Sequence, residues 1–331
     1  MFIIETYSTA VFFCVITMVC WGSWANTQKL AAGNWRFELF YWDYVLGILL
    51  FTLLLALTLG SNGEHGRSFA ADLRQGSFEN IKSAFTGGIL FNAANILLSA
   101  AIAIAGMSVA FPVGIGLALV IGVVVNYLDA PVGNPIVLFS GVACIAAAIV
   151  LNAYAFKKQS SGKPKTSSTG LVLSIVSGSL MGLFYKYVAN SMTSDFTNPE
   201  ALKLTPYTAL FIFSAGIFIS NFIFNSLLMR FPFSGEKVSA SDYIKGNFRN
   251  HLVGILGGCI WCLGMSFSIL ASEKAGPAIS YGLGQGATVV AAIWGIYVWK
   301  EFKNSTVETH RLLLAMLALY VLGLAVIIFS R

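Results

Sequence analysis

The chain of 331 residues is 57% hydrophobic and only 10% charged, with a mean hydropathy of +0.78. Soluble domains carry about 25% charged residues, and disorder needs low hydrophobicity with high charge, so both classes are excluded. The net charge of +6 reads as lysine and arginine retained in cytoplasmic loops of a membrane protein, and no nucleic-acid partner is expected.

Ten apolar segments follow one another near 8–30, 40–60, 84–105, 108–128, 135–156, 169–190, 206–228, 251–272, 276–299 and 311–330. Each can cross a bilayer as a helix. Lipid offers no partner to a free amide, so runs of this length fold as helices. The alternation of a membrane barrel is missing. The expected fold is an all-α polytopic membrane protein.

The first segment follows Met1–Ile4 and Glu5, with no basic stretch and no small-residue cleavage site, which predicts a retained helix. It sets Trp21, Trp24 and Gln28 on one face, with Asn26 beside them. The second places Asp43 one turn inside the membrane, with Glu38 at the interface. A carboxylate there is costly and marks a site, here one that binds and releases a proton, although the helix dipole also favours an acid in a first turn. The third sets Asn92, Asn95 and Ser99 at i, i+3 and i+7. The fourth runs into a turn at Asp129, expected to be solvated. After the fifth comes a flexible linker over 157–169, KKQSSGKPKTSST, polar enough to stay in solvent. Lys186 closes the sixth and is expected to snorkel to the surface.

The eighth segment carries Cys259-x-x-Cys262 with no second pair and no neighbouring histidine, which reads as two small apolar residues one turn apart. The five cysteines are scattered through apolar segments and form no disulfide framework. Glu273 and Lys274 fall in a short turn and are expected to be solvated. The ninth presents Tyr281, Gln285 and Thr288 at i, i+4 and i+7. Its Gly282-x-Gly284-x-Gly286 run lacks the strand of a nucleotide loop and reads as close helix packing. Asn304-Ser305-Thr306 is a formal sequon, discounted because it lies on the cytoplasmic side.

An even number of spans puts both termini on one side. Of the twenty basic residues, thirteen lie opposite the termini and seven beside them, which places the termini outside the cytoplasm. The halves flanking the linker also match. At an offset of 170, Ala105-Gly106 meets Ala275-Gly276, Phe111 meets Tyr281, Gly114 and Gly116 meet Gly284 and Gly286, and Tyr127 meets Tyr297. At an offset of 160, Gly22 meets Gly182, Trp24 meets Phe184, and Asn26 meets Lys186. Five spans per half invert the second copy. Residues 1–156 and 170–331 are therefore expected to form two inverted five-helix repeats, with a solute site near the midplane between them.

No HExxH, GxSxG or P-loop motif occurs, so no enzyme activity, metal or cofactor is expected. What remains is amides, hydroxyls and rings on three helical faces. Interhelical hydrogen bonds, worth about 0.6–2 kcal/mol each, are the plain alternative for any one face. Three together suit a small neutral polar solute, with Trp21 and Trp24 as flat surfaces for a sugar ring or a planar heterocycle.

The stretches Trp21-Gly22-Ser23-Trp24, Tyr41-Trp42-Asp43-Tyr44, Leu57-Thr58-Leu59-Gly60, Asn95, Gly106-Met107-Ser108-Val109, Asn126-Tyr127-Leu128-Asp129 and Gly141-Val142-Ala143-Cys144 resemble the drug/metabolite transporter superfamily. The nearest branches are the glucose/ribose porters, with the rhamnose–proton symporters beside them, and the plant ureide permeases. The resemblance implies ten helices in inverted repeats and proton-coupled or facilitated uptake through a central cavity. Plant ureide permeases carry a long central loop with a nucleotide-like motif. Here that loop is short and lacks the motif, which argues for a sugar over a ureide. The expected function is import of a monosaccharide of the ribose, glucose or rhamnose kind across a plasma membrane of the bacterial inner-membrane type. Asp43 would couple protons. Trp21, Trp24, Asn26, Gln28, Asn92, Asn95, Ser99, Tyr281, Gln285 and Thr288 would line the site. A ureide or nucleobase permease is the first alternative, a metabolite exporter the second.

Overall fold

The computed structural model describes residues 1–31, 35–105, 107–159, 168–233, 235–298, 300 and 305–331. The predicted linker falls largely on 160–167, outside the described residues, as do Gly106 of the matched motif and Asn304 of the sequon. The described chain is helical, with no strand beyond one isolated bridge between Met192 and Leu204. Nine apolar helices among the described residues are long enough to cross a membrane. Seven are single: α3 (Phe37–Leu57), α5 (Phe78–Ala105), α7 (Pro135–Gln159), α8 (Ser168–Ser191), α9 (Pro206–Arg230), α11 (Phe248–Ala275) and α14 (Val307–Ile328). Two are interrupted, and their breaks matter below. A further apolar helix, α6 (Met107–Asp129), has a shorter apolar stretch over Val113–Asp129.

The first predicted span divides into α1 (Tyr7–Ser23) and α2 (Asn26–Leu30). The ninth divides into α12 (Pro277–Gly284), α13 (Ala287–Ile293) and a π-helical turn over Trp294–Val298. Two short helices, α4 (Phe69–Gln75) and α10 (Ala240–Ile244), lie in connectors. Local chemistry sets these ends. Thr6 caps α1 by accepting from the Thr9 amide, and Asn247 caps α11 by accepting from Asn250. Ser239 and Asp242 form a reciprocal capping box on α10. Gly276, at φ 86°, turns α11 into α12 ahead of Pro277, a conformation that disfavours any side chain.

In lipid, helices are held by close van der Waals packing at small residues. The helices meet at glycine joints of this kind. Between α3 and α11, a Cβ on Gly47 would strike the Ile255 carbonyl, and one on Gly258 the Tyr44 carbonyl. Between α5 and α9, a Cβ on Gly88 would strike the Phe213 carbonyl, and one on Gly216 the Phe85 carbonyl. Between α7 and α14, Gly141 and Gly323 face each other reciprocally, each 2.9 Å by its missing Cβ from the other's carbonyl. The 282–286 glycines also serve packing. The Trp21 ring fills the place of a Gly284 side chain, and the Met18 sulfur that of Gly286.

The connectors collect at two ends. At one, Arg67 pairs with the fully buried Asp72 at 2.9 Å, and Asp72 also accepts from the Thr205 amide at 2.7 Å. At the other, Arg36 binds the Glu236 carbonyl and pairs with Glu38, and Lys158 pairs with Glu308. Asp129 is exposed, as its turn suggests, and there it accepts from Lys186 and Asn190 at 2.8 Å each. Glu273 departs from expectation: its side chain is only 7% exposed and accepts from Lys274 at 3.1 Å, because neighbouring segments enclose a turn that looks free in one dimension.

A Gly88→Leu change forces a side chain into the Phe213 backbone and should destabilise by about 1–3 kcal/mol. Gly116→Ala, whose Cβ would rest 3.6 Å from Ile149, should be nearly neutral. Thermal unfolding in detergent measures both; equal midpoints would count against the glycine-joint account.

Candidate functional site

A cavity of about 470 Å³ lies among the two broken helices and their neighbours, within the size range of small-molecule sites. α1 stops at Ser23, and the carbonyls freed by the break are satisfied locally. Asn26 Nδ2 donates to the Ser23 carbonyl at 3.0 Å and Thr27 Oγ1 to the Trp24 carbonyl at 2.7 Å. At the second break, Thr288 Oγ1 lies 3.1 Å from the Gln285 carbonyl. Trp24 and Gln285 occupy these interruptions, and both line the cavity.

One wall is aromatic. The Trp21 and Trp261 rings lie almost parallel, 9° apart with centroids at 6.0 Å, and Phe91 packs on Trp261 at 4.3 Å. Trp21 Nε1 donates to the Trp261 carbonyl at 3.2 Å, so the indole offers the cavity its surface and not its N–H. Gln28, Asn95, Ser99, Gln285 and Thr288 supply the polar lining. The Gln285 side chain is buried and makes no hydrogen bond to any described residue, while Ser99 Oγ donates to the Asn95 carbonyl at 2.9 Å.

Of the ten predicted lining residues, Trp21, Trp24, Gln28, Asn95, Ser99, Gln285 and Thr288 stand on the cavity wall. Three do not. Asn26 folds back to cap α1. Asn92 is fully buried one turn behind Asn95, between Tyr41 and Ser220. Tyr281 is fully buried, its hydroxyl 3.1 Å from the Met181 carbonyl and 3.2 Å from that of Ala118. Tyr281 keeps its helical spacing to Gln285 but its ring is taken up between α6 and α8. Phe91, Phe184 and Trp261 line the cavity without having been singled out. Phe91 shares a helical face with Asn95, and Phe184 is the repeat partner of Trp24, so both carried a legible signal.

Asp43 is not on the cavity wall. It is buried near the start of α3 and held from two elements. Tyr243 donates to its Oδ1 at 2.6 Å, and His251 Nδ1 lies 3.0 Å from both oxygens. Trp35 packs edge-on against His251 at 5.4 Å. Burial, reinforced by the Asp43 carboxylate, holds the Tyr243 phenol above its usual range, so it remains a proton donor. His251 stands in no sequence motif. Its position at the start of α11, opposite Asp43, is visible only once α3 and α11 pack.

The ureide permease family model matches this chain over residues 40–169 and 157–330. Ureide permease 1 of Arabidopsis thaliana is 24% identical over 386 aligned residues, covering 100% of this chain and 99% of the relative. Ureide permease 4 of the same plant is also 24% identical, with the same coverage. A probable ureide permease A3 from Vigna unguiculata is 22% identical over 93% of this chain and 99% of the relative. A solved crystal structure of a protein 15% identical superposes with a TM-score of 0.62 over 96% of both chains, a likeness of fold.

The Asp43 cluster ties α10 to the membrane helices, so Tyr243→Phe should release it. Losing a hydrogen bond to a buried carboxylate costs about 1–3 kcal/mol. Trypsin should then cut faster at Lys237 and Lys245 in the folded protein. Cleavage at the wild-type rate would show that Tyr243 does not hold this connector.

Proposed function

The chain belongs to the ureide permease family, and from that premise we propose that it carries a small, neutral, planar solute of the ureide or nucleobase kind through the central cavity by alternating access. The family is one of transporters, so the chain is a multi-pass membrane permease and not an enzyme. The observation that carries the solute assignment is the parallel Trp21–Trp261 pair beside amides in one cavity. Flat heterocycles stack on aromatic faces, and carboxamide side chains complement the N–H and C=O groups of a urea unit.

This ranking reverses the sequence expectation, which set a monosaccharide first because the central loop is short. The family match runs along both sides of that loop, and the cavity lies in the helices, so loop length says little about the cargo.

Alternating access follows from reading the halves as inverted repeats. The glycine joints support it. Gly47 on α3 has Gly216 on α9 as its counterpart, and Gly88 on α5 has Gly258 on α11, at offsets of 169 and 170 in the numbering. Exchanging counterparts turns the α3–α11 joint into the α5–α9 joint, and it leaves the α7–α14 pair in place. In this scheme α6 is the tenth crossing, and the charge count puts both termini outside the cytoplasm. Asp43, a buried carboxylate beside a histidine, is proposed as the proton-coupling group.

Proteoliposomes preloaded with allantoin should take up labelled allantoin by counterflow, and unlabelled uracil should compete better than ribose. Competition by ribose alone would reinstate the sugar. Asp43→Asn should abolish accumulation driven by a proton gradient while sparing counterflow; a mutant that still concentrates solute along the gradient would remove Asp43 from the coupling role.

A further inference from the structure

We propose that Asn95 is a specificity-determining residue of the cavity, locked as a hydrogen-bond acceptor by a buried relay, so that the solute must present an N–H to it. The proposal rests on the cavity being the solute site. It begins at the Ile217 carbonyl on α9, a group that only accepts. Ser220 Oγ donates its one hydrogen there at 3.1 Å, so toward Asn92 it has only lone pairs left. Asn92 must then turn its amide nitrogen to Ser220, at 2.9 Å, and its oxygen to Tyr41. The Tyr41 hydroxyl donates its one hydrogen to Asn92 Oδ1 at 3.1 Å and accepts from Asn95 Nδ2 at 3.0 Å. Each step removes a choice from the next. All four side chains are at most 5% exposed, so bulk water has little access to reset the order.

The relay ends with Asn95 Nδ2 committed to Tyr41 and Asn95 Oδ1 bonded to no described residue, on a side chain that lines the cavity. Turning that amide over would set its oxygen against a phenol whose hydrogen is already spent. The cavity therefore presents a fixed acceptor on the α5 side. Gln285, without a side-chain partner among the described residues, remains free to turn either end of its amide to the solute.

This arrangement distinguishes solute classes. A hydroxyl can rotate to donate or accept, so a sugar is indifferent to which way Asn95 points. A ring N–H can only donate, so a solute that turns an N–H to Asn95 is matched by this orientation and mismatched by the opposite one. Methylating that nitrogen removes the donor and leaves a buried acceptor unpaired, a change that weakens binding about 10-fold or more.

The test is competition against labelled allantoin counterflow by hydantoin and its two N-methyl derivatives, in wild type, Tyr41→Phe and Ser220→Ala. In wild type, at least one N-methylation should weaken competition about 10-fold or more. Tyr41→Phe frees Asn95 to turn, and Ser220→Ala lets the whole relay reverse. In both variants the methylation penalty should shrink several-fold while counterflow persists. If Tyr41→Phe does not fold, Ser220→Ala, which removes one hydroxyl that does not line the cavity, carries the test alone. Counterflow with an unchanged methylation penalty in the variants, or no penalty in wild type, overturns the relay but leaves the transport reading intact. No counterflow of any ureide or nucleobase in wild type overturns both.

Discussion

A backbone inside a bilayer has no water to bind, so a helix can break only where the protein itself satisfies the freed groups. This constraint organises the structure. The described chain interrupts two of its membrane helices, after Ser23 and after Gly284, and both interruptions open onto the same cavity. Nearby side chains serve each break: Asn26 and Thr27 bind carbonyls at the first, Thr288 at the second. The residues at the interruptions project into the space that the missing helical turns leave. The cavity is thus where the irregular backbone lies, and of the groups that satisfy that backbone Thr288 also lines it, beside Gln28, Asn95, Ser99 and Gln285.

Close glycine joints make that geometry possible. With α3 pressed on α11 and α5 on α9, the side chains of Tyr41, Asn92 and Ser220 meet across three helices at hydrogen-bond distance. A larger residue at Gly88 would separate α5 from α9 and pull Asn92 from Ser220. Packing by small residues and the orientation of a single cavity amide therefore belong to one chain of cause. Glycines read along the sequence as mere spacing decide where polar groups can meet.

Much of the fold was legible in the sequence, because span length and hydropathy act locally. Segments such as 206–228 and 311–330 needed nothing but their own composition. The cavity lining was legible where a helix stays regular: Asn95 and Ser99 share a face of α5 in sequence and a cavity in space. It failed where tertiary structure intervenes. Tyr281 and Thr288 share one predicted face, yet carbonyls of α6 and α8 claim the Tyr281 hydroxyl. Asn92 obeyed the periodicity but was claimed by Tyr41 and Ser220 from other helices. His251 carried no local signal at all, since its meaning comes from Asp43, more than two hundred residues earlier.

The neutral cavity and the buried carboxylate are separate in space but share one element. Helix α3 carries Tyr41, which orients Asn95 at the cavity, and two residues later Asp43, which is pinned to His251 of α11 and Tyr243 of α10. Successive residues of a helix move together, so any rotation or shift of α3 that accompanies a change at Asp43 also moves the phenol that sets the Asn95 amide. Coupling between two sites requires an element whose arrangement both of them bias. Here α3 is the shortest such element available, and it is gripped on the α11 side by the Gly47–Gly258 joint. A joint that tight resists gradual displacement, because each missing Cβ is replaced by a partner's carbonyl. In the proposed coupling, proton binding at Asp43 would act on the cavity through the position of one rigid helix rather than through charge felt across it, which fits a wall of amides, hydroxyls and rings.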